Sequence, residues 1–203
     1  IYNITLRNMT NGFSINNDNA WLHDVILSNI STESYRSDCN YFIYGYNVGN
    51  LTVKNMTIRA VGNIVHYSIY VHNCGNLTLE NLTDTTSSSN SVQFDFLGTD
   101  INVRIHNVST TRQVVVTGLD GNMTLENFSA LRVLLGGISV ERSHVLIRNA
   151  TMSSTIIFMT GGNVNVTVYN LTSPGYAAMF TYARATFYDS TSTGFEDQWS
   201  IQS

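Results

Sequence analysis

Thirteen Asn-x-Ser/Thr triplets are the residues of this chain whose type and spacing point most directly to chemistry. The triplet is the acceptor for N-linked glycosylation, in which sugar is attached to the asparagine amide. The 203 residues include 24 asparagines and 44 serines and threonines, and at this composition chance gives about five triplets. The candidate acceptors are Asn3, Asn8, Asn29, Asn50, Asn55, Asn76, Asn81, Asn107, Asn122, Asn127, Asn149, Asn165 and Asn170. The excess predicts covalent N-linked glycans and an extracellular or cell-surface location.

The triplets belong to an eight-residue repeat, here called the octad, that occurs nine times. Positions 6 and 8 are asparagine and serine or threonine in eight of the nine copies. Successive copies start at similar intervals along the chain, with a period typical of β-solenoid coils, in which each repeat packs on its neighbours. The copies begin at Asn3, Asp24, Asn50, Asn76, Asn102, Asn122, His144, Asn165 and Arg184.

Each octad has the pattern of a strand that is buried on one face. Positions 2 and 4 are apolar, position 5 is polar and position 3 is polar in seven of the nine copies, but position 7 is apolar again in eight copies. A bend at positions 5 and 6 would turn position 7 back inward, and asparagine tolerates the left-handed conformation that bends need. We expect the octads to form one parallel sheet, with Leu51, Leu77 and Val103 stacked inward in adjacent coils.

A second strand pattern follows each octad. The segments are Phe13–Ile15, Tyr41–Tyr44, Val65–Val71, Val92–Phe96, Val114–Val116, Val133–Leu135, Ile156–Phe158, Met179–Tyr182 and Trp199–Ile201. A β-sandwich also has short strands separated by turns, but it has no reason to repeat one octad nine times. The sequence therefore predicts an all-β chain that forms a single-domain parallel β-helix, or β-solenoid, of about nine coils over residues 1–203.

The octads resemble the parallel β-helix repeat family, whose pectate-lyase-like coils often read Asn-apolar-Thr-apolar-polar-Asn. The resemblance covers nearly the whole chain and implies a right-handed β-solenoid. Enzymes of that family carry clustered aspartates on the outer face, but this chain has no Asp-Asp pair, no Gly-His-Gly and no Asn-Thr-Asp. We therefore expect a non-enzymatic member with no catalytic residues, and a polysaccharide lyase or hydrolase is the least favoured alternative.

The asparagines also have a purely structural interpretation. An asparagine stacked in every coil makes a side-chain ladder at the bend, and an inward-pointing ladder residue cannot carry a glycan. A ladder explains asparagine at position 6 better than it explains serine or threonine at position 8. The position-1 residues Asn3, Asn50, Asn76 and Asn122 open a coil after a turn and are the better candidate carriers of sugar.

The alternating charges at position 5 favour one register between neighbouring strands. In stacking order it reads Arg7, Ser28, Lys54, Glu80, His106, Glu126, Arg148, Tyr169 and Tyr188. Opposite charges on adjacent strands contribute about 0.2–1 kcal/mol each, and like charges are unfavourable. We interpret this column as a register device rather than as an acid–base site.

The two cysteines, Cys39 and Cys74, leave two alternatives open. An even number of cysteines in an exported protein favours a disulfide. The repeat does not place the two residues side by side, however, so two buried thiols are equally compatible.

Metal, nucleic-acid and membrane functions have little support in the sequence. His66 and His72 share a strand face but lie about 20 Å apart along the strand, too far to share a metal. We expect no metal and no cofactor apart from glycans. A net charge of −4 with scattered arginines argues against nucleic acid, and no apolar stretch is long enough to span a membrane.

Two non-enzymatic functions remain. We favour a structural subunit of an extracellular filament or surface layer that assembles head to tail with copies of itself through its solenoid ends. The octads begin three residues into the chain and no terminal cap is visible. The first residue is Ile1, so either a leader has been removed or the chain is part of a longer protein. An adhesin or viral receptor-binding fibre would instead use loops, such as Thr32–Asn40 and Thr85–Ser91.

Overall fold

The computed structural model is an all-β stack of parallel strands. It describes residues 1–7, 13–16, 22–34, 39–60, 65–85, 92–96, 101–136, 143–154, 157–158, 164–176, 179–180 and 183–194. These contain sixteen strands that belong to one hydrogen-bonded sheet. The strands are β1 (Tyr2–Arg7), β2 (Phe13–Asn16), β3 (Leu22–Ser34), β4 (Cys39–Ala60), β5 (Val65–Asp84), β6 (Val92–Phe96), β7 (Ile101–Thr110), β8 (Gln113–Thr117), β9 (Gly121–Ala130), β10 (Arg132–Gly136), β11 (His144–Met152), β12 (Ile157–Phe158), β13 (Val164–Tyr176), β14 (Met179–Phe180), β15 (Ala183–Tyr188) and β16 (Thr191–Gly194).

The octads stack directly on one another in parallel register. Leu51 pairs with Leu77 and Leu77 pairs with Val103, as the repeat predicts. All three are buried, with at most 3% of each residue exposed. The octad strands follow one another in the order β1, β3, β4, β5, β7, β9, β11, β13, β15, and every pairing is parallel. The predicted β-solenoid of about nine coils is therefore confirmed.

The register of the first copy is not the predicted one. Tyr2 pairs with Ser28 and Ile4 with Ile30, which places Asn3 over Asn29 at position 6 rather than over Asp24 at position 1. The octad carries Asn-x-Ser/Thr at both positions 1–3 and positions 6–8, so matching letters alone permits a slip from one triplet to the other. As a result, Asn3 does not open a coil, and Arg7 lies beside Glu33 instead of joining the position-5 column.

The core is a set of inward-pointing columns that run along the stack. Octad positions 2, 4 and 7 are buried in the coils from β4 to β13, and position 4 is almost completely enclosed. Its members are Leu27, Val53, Leu79, Ile105, Leu125, Ile147 and Val168, each no more than 1% exposed. Position 7 is inward because the chain bends between positions 4 and 7, as predicted.

The second strands form another parallel column with an apolar inner face. Ile43, Ile69, Val114 and Val133 are buried, whereas the alternate residues Tyr44 and Tyr70 are only partly buried. Between β5 and β6 the register shifts, with Ile69 on Val92 but Cys74 on Phe96. The predicted strand Trp199–Ile201 lies outside the described residues.

One corner of the coil requires glycine because adjacent backbones approach closely there. A Cβ atom on Gly75 would lie 2.3 Å from the Gly49 carbonyl oxygen, and one on Gly121 would lie 2.1 Å from the Ile101 oxygen. Gly121 also has a φ of 148°, which disfavours any side chain. These glycines let the octads that begin at Asn76 and Asn122 enter in register with the octads before them.

A small polar cluster lies inside the stack near the end of β5. The buried Asp84 carboxylate accepts hydrogen bonds from the hydroxyls of Ser68 and Thr110. The Thr110 hydroxyl in turn accepts the backbone N–H of Arg112, whose side chain is also buried. Buried polar groups need hydrogen-bond partners. These bonds therefore fix the conformation of the corner that follows octad positions 7 and 8.

We predict that Leu79→Ala lowers the unfolding free energy by about 2–5 kcal/mol, because it opens a cavity in a fully packed column. Urea unfolding of unglycosylated, bacterially expressed protein measures the change. Thr83→Ala, an exposed residue on the same strand, is the matched control and should cost no more than about 0.5 kcal/mol. Equal effects from the two substitutions would contradict the assignment of an inner and an outer face.

Candidate functional site: outward asparagine rows

The bend at octad position 6 is left-handed in every coil that the structure describes. The φ angles are close to +50°, a region that asparagine and aspartate enter more readily than other non-glycine residues. The residues are Asn3, Asn29, Asn55, Asn81, Asn107, Asn127, Asn149, Asn170 and Asp189. The predicted bend is therefore confirmed, and Asn8 lies outside the described residues.

The position-6 side chains form a continuous hydrogen-bonded ladder, here called row 6. From Asn55 to Asn170, the side-chain Nδ2 of each coil donates to Oδ1 of the asparagine in the preceding coil. The six bonds are Asn55 to Asn29 (2.9 Å), Asn81 to Asn55 (2.9 Å), Asn107 to Asn81 (3.0 Å), Asn127 to Asn107 (3.0 Å), Asn149 to Asn127 (3.0 Å) and Asn170 to Asn149 (3.0 Å). All seven residues are exposed, so the ladder lies on the outside of the solenoid rather than pointing inward.

The ladder leaves one hydrogen of each amide free. Because each residue accepts at Oδ1 from the next coil and donates from Nδ2 to the preceding coil, the donated N–H points opposite to the C=O. In a trans secondary amide such as the peptide group, the hydrogen that remains on the nitrogen is also the one opposite to the C=O. A substituent that replaces the other hydrogen therefore preserves the ladder bond.

The position-1 residues form a second outward row, here called row 1, that is bonded less regularly. Asn50 Nδ2 donates to Asp24 and Asn76 Nδ2 donates to Asn50, both at 2.8 Å. The backbone N–H of Asn102 then bonds to Asn76 Oδ1 at 2.8 Å, and Asn122 Nδ2 reaches Asn102 only at 3.5 Å. Row 1 is exposed from Asp24 to Asn165 and lacks the left-handed φ of row 6.

Serine and threonine at position 8 form a third outward column. It runs Thr5, Ser31, Thr57, Thr83, Ser109, Ser129, Thr151, Thr172, Thr191 in strict register. These side chains are exposed or half-buried, and each follows a row-6 residue by two positions. Twelve of the thirteen candidate acceptors lie in the described residues, and all twelve are exposed.

Reasoning from the octads alone missed a short third ladder. Asn73 Nδ2 donates to Asn47 Oδ1 at 3.0 Å, and both residues have left-handed φ angles. They lie three residues before position 1, at the corner that carries the stacked glycines. The available signal was two asparagines one coil apart, each shortly before a glycine.

The charged column at position 5 is confirmed from Ser28 to Tyr188. Lys54 Nζ lies 2.9 Å from Glu80 Oε2, and His106 Nδ1 lies 3.3 Å from Glu126 Oε2. Farther along, the Arg148 guanidinium lies 5.5 Å from the centre of the Tyr169 ring. The hydrogen bond from Lys54, followed by the charge of Lys54, lowers the pKa of the Glu80 carboxyl from its ordinary value of 4.5.

The structure separates the two cysteines along the coil. The backbone of Cys39 pairs with Val65, whereas that of Cys74 pairs with Val48, nine positions farther along the same pair of strands. Cys74 is a free, buried thiol, and burial raises its pKa to about 12. Of the two alternatives open from sequence, the structure supports a buried thiol for Cys74 rather than a disulfide with Cys39.

No cluster of side chains suited to metal binding occurs within the described residues. Groups of three or more histidine, cysteine, aspartate or glutamate side chains that could hold a metal do not occur there. The described part of the chain also contains no helix that could cross a membrane. The outward asparagine rows are therefore the candidate functional site.

Comparisons with protein-family models, with curated proteins and with solved structures find no match to this chain.

We predict opposite preferences for glycine and alanine in the two rows. Asn107→Gly keeps access to the left-handed region and loses the ladder bonds, at a cost of about 1–2 kcal/mol. Asn107→Ala should cost about 1–2 kcal/mol more, because its Cβ disfavours that region. At Asn102, which is not left-handed, alanine should instead be better tolerated than glycine. Unfolding free energies of the four variants test this order, and the same order at both positions would contradict it.

We predict that Lys54→Met raises the pKa of the Glu80 carboxyl toward its ordinary value. Because folding lowers this pKa, the ion pair stabilises the protein above pH 4.5, and its contribution is lost as the pH falls through the lowered value. NMR titration of Glu80 measures the shift. The unfolding temperatures of the wild type and the variant should differ at pH 7 and should become equal below the lowered pKa of Glu80. Arg148→Met, three coils from Glu80, is the control and should leave the Glu80 pKa unchanged.

Proposed function

We propose that this chain is a structural subunit of an extracellular, N-glycosylated filament or cell-surface layer that assembles head to tail through its solenoid ends. The observation that carries the proposal is the repeated, in-register stacking of successive coils. Each coil offers acceptors in row 6 toward the next coil and donors toward the preceding one. Any coil surface of this kind is complementary to the opposite surface of another copy.

Such an assembly is heterologous, because two different surfaces meet at each junction. Repetition without closure produces a filament. Among the described strands, β1 pairs only with β3 and β15 pairs only with β13, so one edge of each has no partner there. Pairing β1 of one copy with the last coil of another would continue the sheet, the apolar columns and the outward rows across the junction.

The glycoprotein part of the proposal rests on the exposure of the acceptors. All twelve described Asn-x-Ser/Thr asparagines are on the outer surface, and only 12% of the residues are charged. A glycan coat supplies hydration that charged side chains otherwise provide. The exposed acceptors and the low charge favour a location outside the cell and covalent glycans. We propose no other cofactor, and we propose copies of the same chain, rather than nucleic acid, as partners.

We also place the chain among the non-enzymatic members of the pectate-lyase-like parallel β-helix architecture, as a single right-handed domain over residues 1–203. The parallel octads and the outward asparagine ladders support this placement.

A fibre that binds receptors or glycans is a second candidate, favoured by one group of aromatic side chains. On β4 and β5, the Tyr44 ring centre lies 5.1 Å from that of Tyr41 and 5.7 Å from that of Tyr70. Tyr46 stacks on His72 beside them, and all five side chains are partly exposed. Binding to a glycan array that is lost on Tyr44→Ala and Tyr70→Ala would favour this candidate.

Head-to-tail assembly predicts that charges at the two ends of one column control polymerisation. The doubly substituted Thr5→Lys/Thr191→Lys protein should remain monomeric, because a junction places two lysines on adjacent strands. Thr5→Lys/Thr191→Glu should instead assemble at lower concentration than the wild type. Sedimentation velocity and electron microscopy measure the size of the assemblies.

The control places the same charges away from the ends. Thr83 and Thr151 belong to the same column but lie three coils apart, so Thr83→Lys/Thr151→Lys should assemble like the wild type. A wild-type protein that stays monomeric at high concentration would contradict the proposal. Equal assembly of all three double variants would contradict a junction at this column.

A further inference from the structure

We infer that sugar is carried by row 1 on every second coil, at Asn76, Asn122 and Asn165, while row 6 remains an unmodified ladder. The inference deepens the proposed function and rests on its glycoprotein part. It is drawn from the spacing of the acceptors in each row and from the hydrogen bonds of their amides.

The spacing of neighbouring coils limits how many acceptors in one row can carry sugar. Adjacent strands are about 4.8 Å apart, which is less than the width of a hexosamine with its acetamido group. Two glycans on adjacent coils of the same row therefore collide. Glycans on alternate coils are about 9.6 Å apart, which leaves room for both.

Row 1 has the alternation that this limit requires. After Asn76, the next coil has Asn102, which is not an acceptor because Arg104 stands where a serine or threonine is needed. Asn122 follows as an acceptor, the next coil has His144, and Asn165 is again an acceptor. Only Asn50 departs from the alternation, since it is adjacent to Asn76.

Row 6 lacks the alternation, because seven consecutive coils carry acceptors from Asn29 to Asn170. Every one of these amides is in a ladder with distances of 2.9–3.0 Å. A glycan on the free hydrogen would keep its ladder bond, but with strands about 4.8 Å apart it would crowd an acceptor on each neighbouring coil.

Two of the three proposed carriers have loosely bonded amides, whereas Asn76 is bonded on both sides at 2.8 Å. The bond from Asn122 is long, at 3.5 Å, and the side chain of Asn165 makes no hydrogen bond to another described residue. Sugar on either amide therefore disturbs little of the existing structure. Glycoforms with sugar on adjacent coils fold poorly and should be depleted from secreted, folded protein.

Site mapping after secretion from a eukaryotic cell line tests the inference. Enzymatic deglycosylation in heavy-oxygen water marks each asparagine that carried sugar. One tryptic peptide, residues 149–184, holds Asn149, Asn165 and Asn170, and another, residues 113–132, holds Asn122 and Asn127. We expect the mark at Asn165 and Asn122 alone. Marks at Asn149, Asn170 or Asn127 as frequent as those in row 1 would overturn the inference.

A pair of variants tests exclusion between adjacent coils without altering any asparagine. Thr78→Ala removes the acceptor motif of Asn76, so occupancy of Asn50 should rise about twofold or more as the collision with Asn76 is relieved. Thr124→Ala removes the motif of Asn122, three coils from Asn50, and should leave Asn50 unchanged. Both threonines are partly buried at position 3.

The outcomes separate this inference from the proposed function. Protein with no sugar at any site overturns both the inference and the proposed glycoprotein. Sugar on Asn50 and Asn76 of the same folded molecules, with no response to Thr78→Ala, overturns the inference and leaves the glycoprotein standing.

Discussion

The left-handed bend at octad position 6 is the constraint on which the rest of the structure depends. A strand that continued straight would point position 7 outward, because side chains alternate with a period of two. The bend returns Met56, Leu82 and Phe128 to the core, where each is at most 2% exposed. Asparagine meets the backbone requirement at low cost, and its short amide reaches the next asparagine along the stack. One residue type therefore both shapes the coil and links it to its neighbours.

Stacking tolerates coils of different length because the variation falls between the strands. The row-6 residues are evenly spaced along the chain up to Asn107 and more closely and unevenly spaced after it, yet the octads from β3 to β15 stay in register. The apolar columns at positions 2, 4 and 7 hold that register, since a slip of one residue exposes every inward side chain. Extra loop length costs little free energy. The charges at position 5 add a weaker preference for the same register.

The asparagine side-chain amides on the outer surface have two uses, as members of a hydrogen-bonded ladder and as acceptors of sugar. A ladder needs a single N–H and the carbonyl oxygen of each asparagine, so the second hydrogen is available for substitution. Whether substitution is compatible with folding then depends on the neighbouring coils rather than on the residue itself. This separates the regular, tightly bonded row 6 from row 1, where Asn102 and His144 interrupt the acceptors.

Repetition in the sequence was enough to predict the parallel solenoid, its inward columns, the bend and the position-5 column, because each depends on a pattern that recurs from coil to coil. Only the tertiary structure decided that the position-6 ladder points outward, that Asn3 belongs to position 6 and that Cys39 and Cys74 lie nine positions apart along the coil. The short Asn47–Asn73 ladder was likewise decided there. Periodicity specifies which residues share a column. It does not specify the face of a bent column or the register of an ambiguous motif, because these depend on which strand pairing buries the most apolar surface.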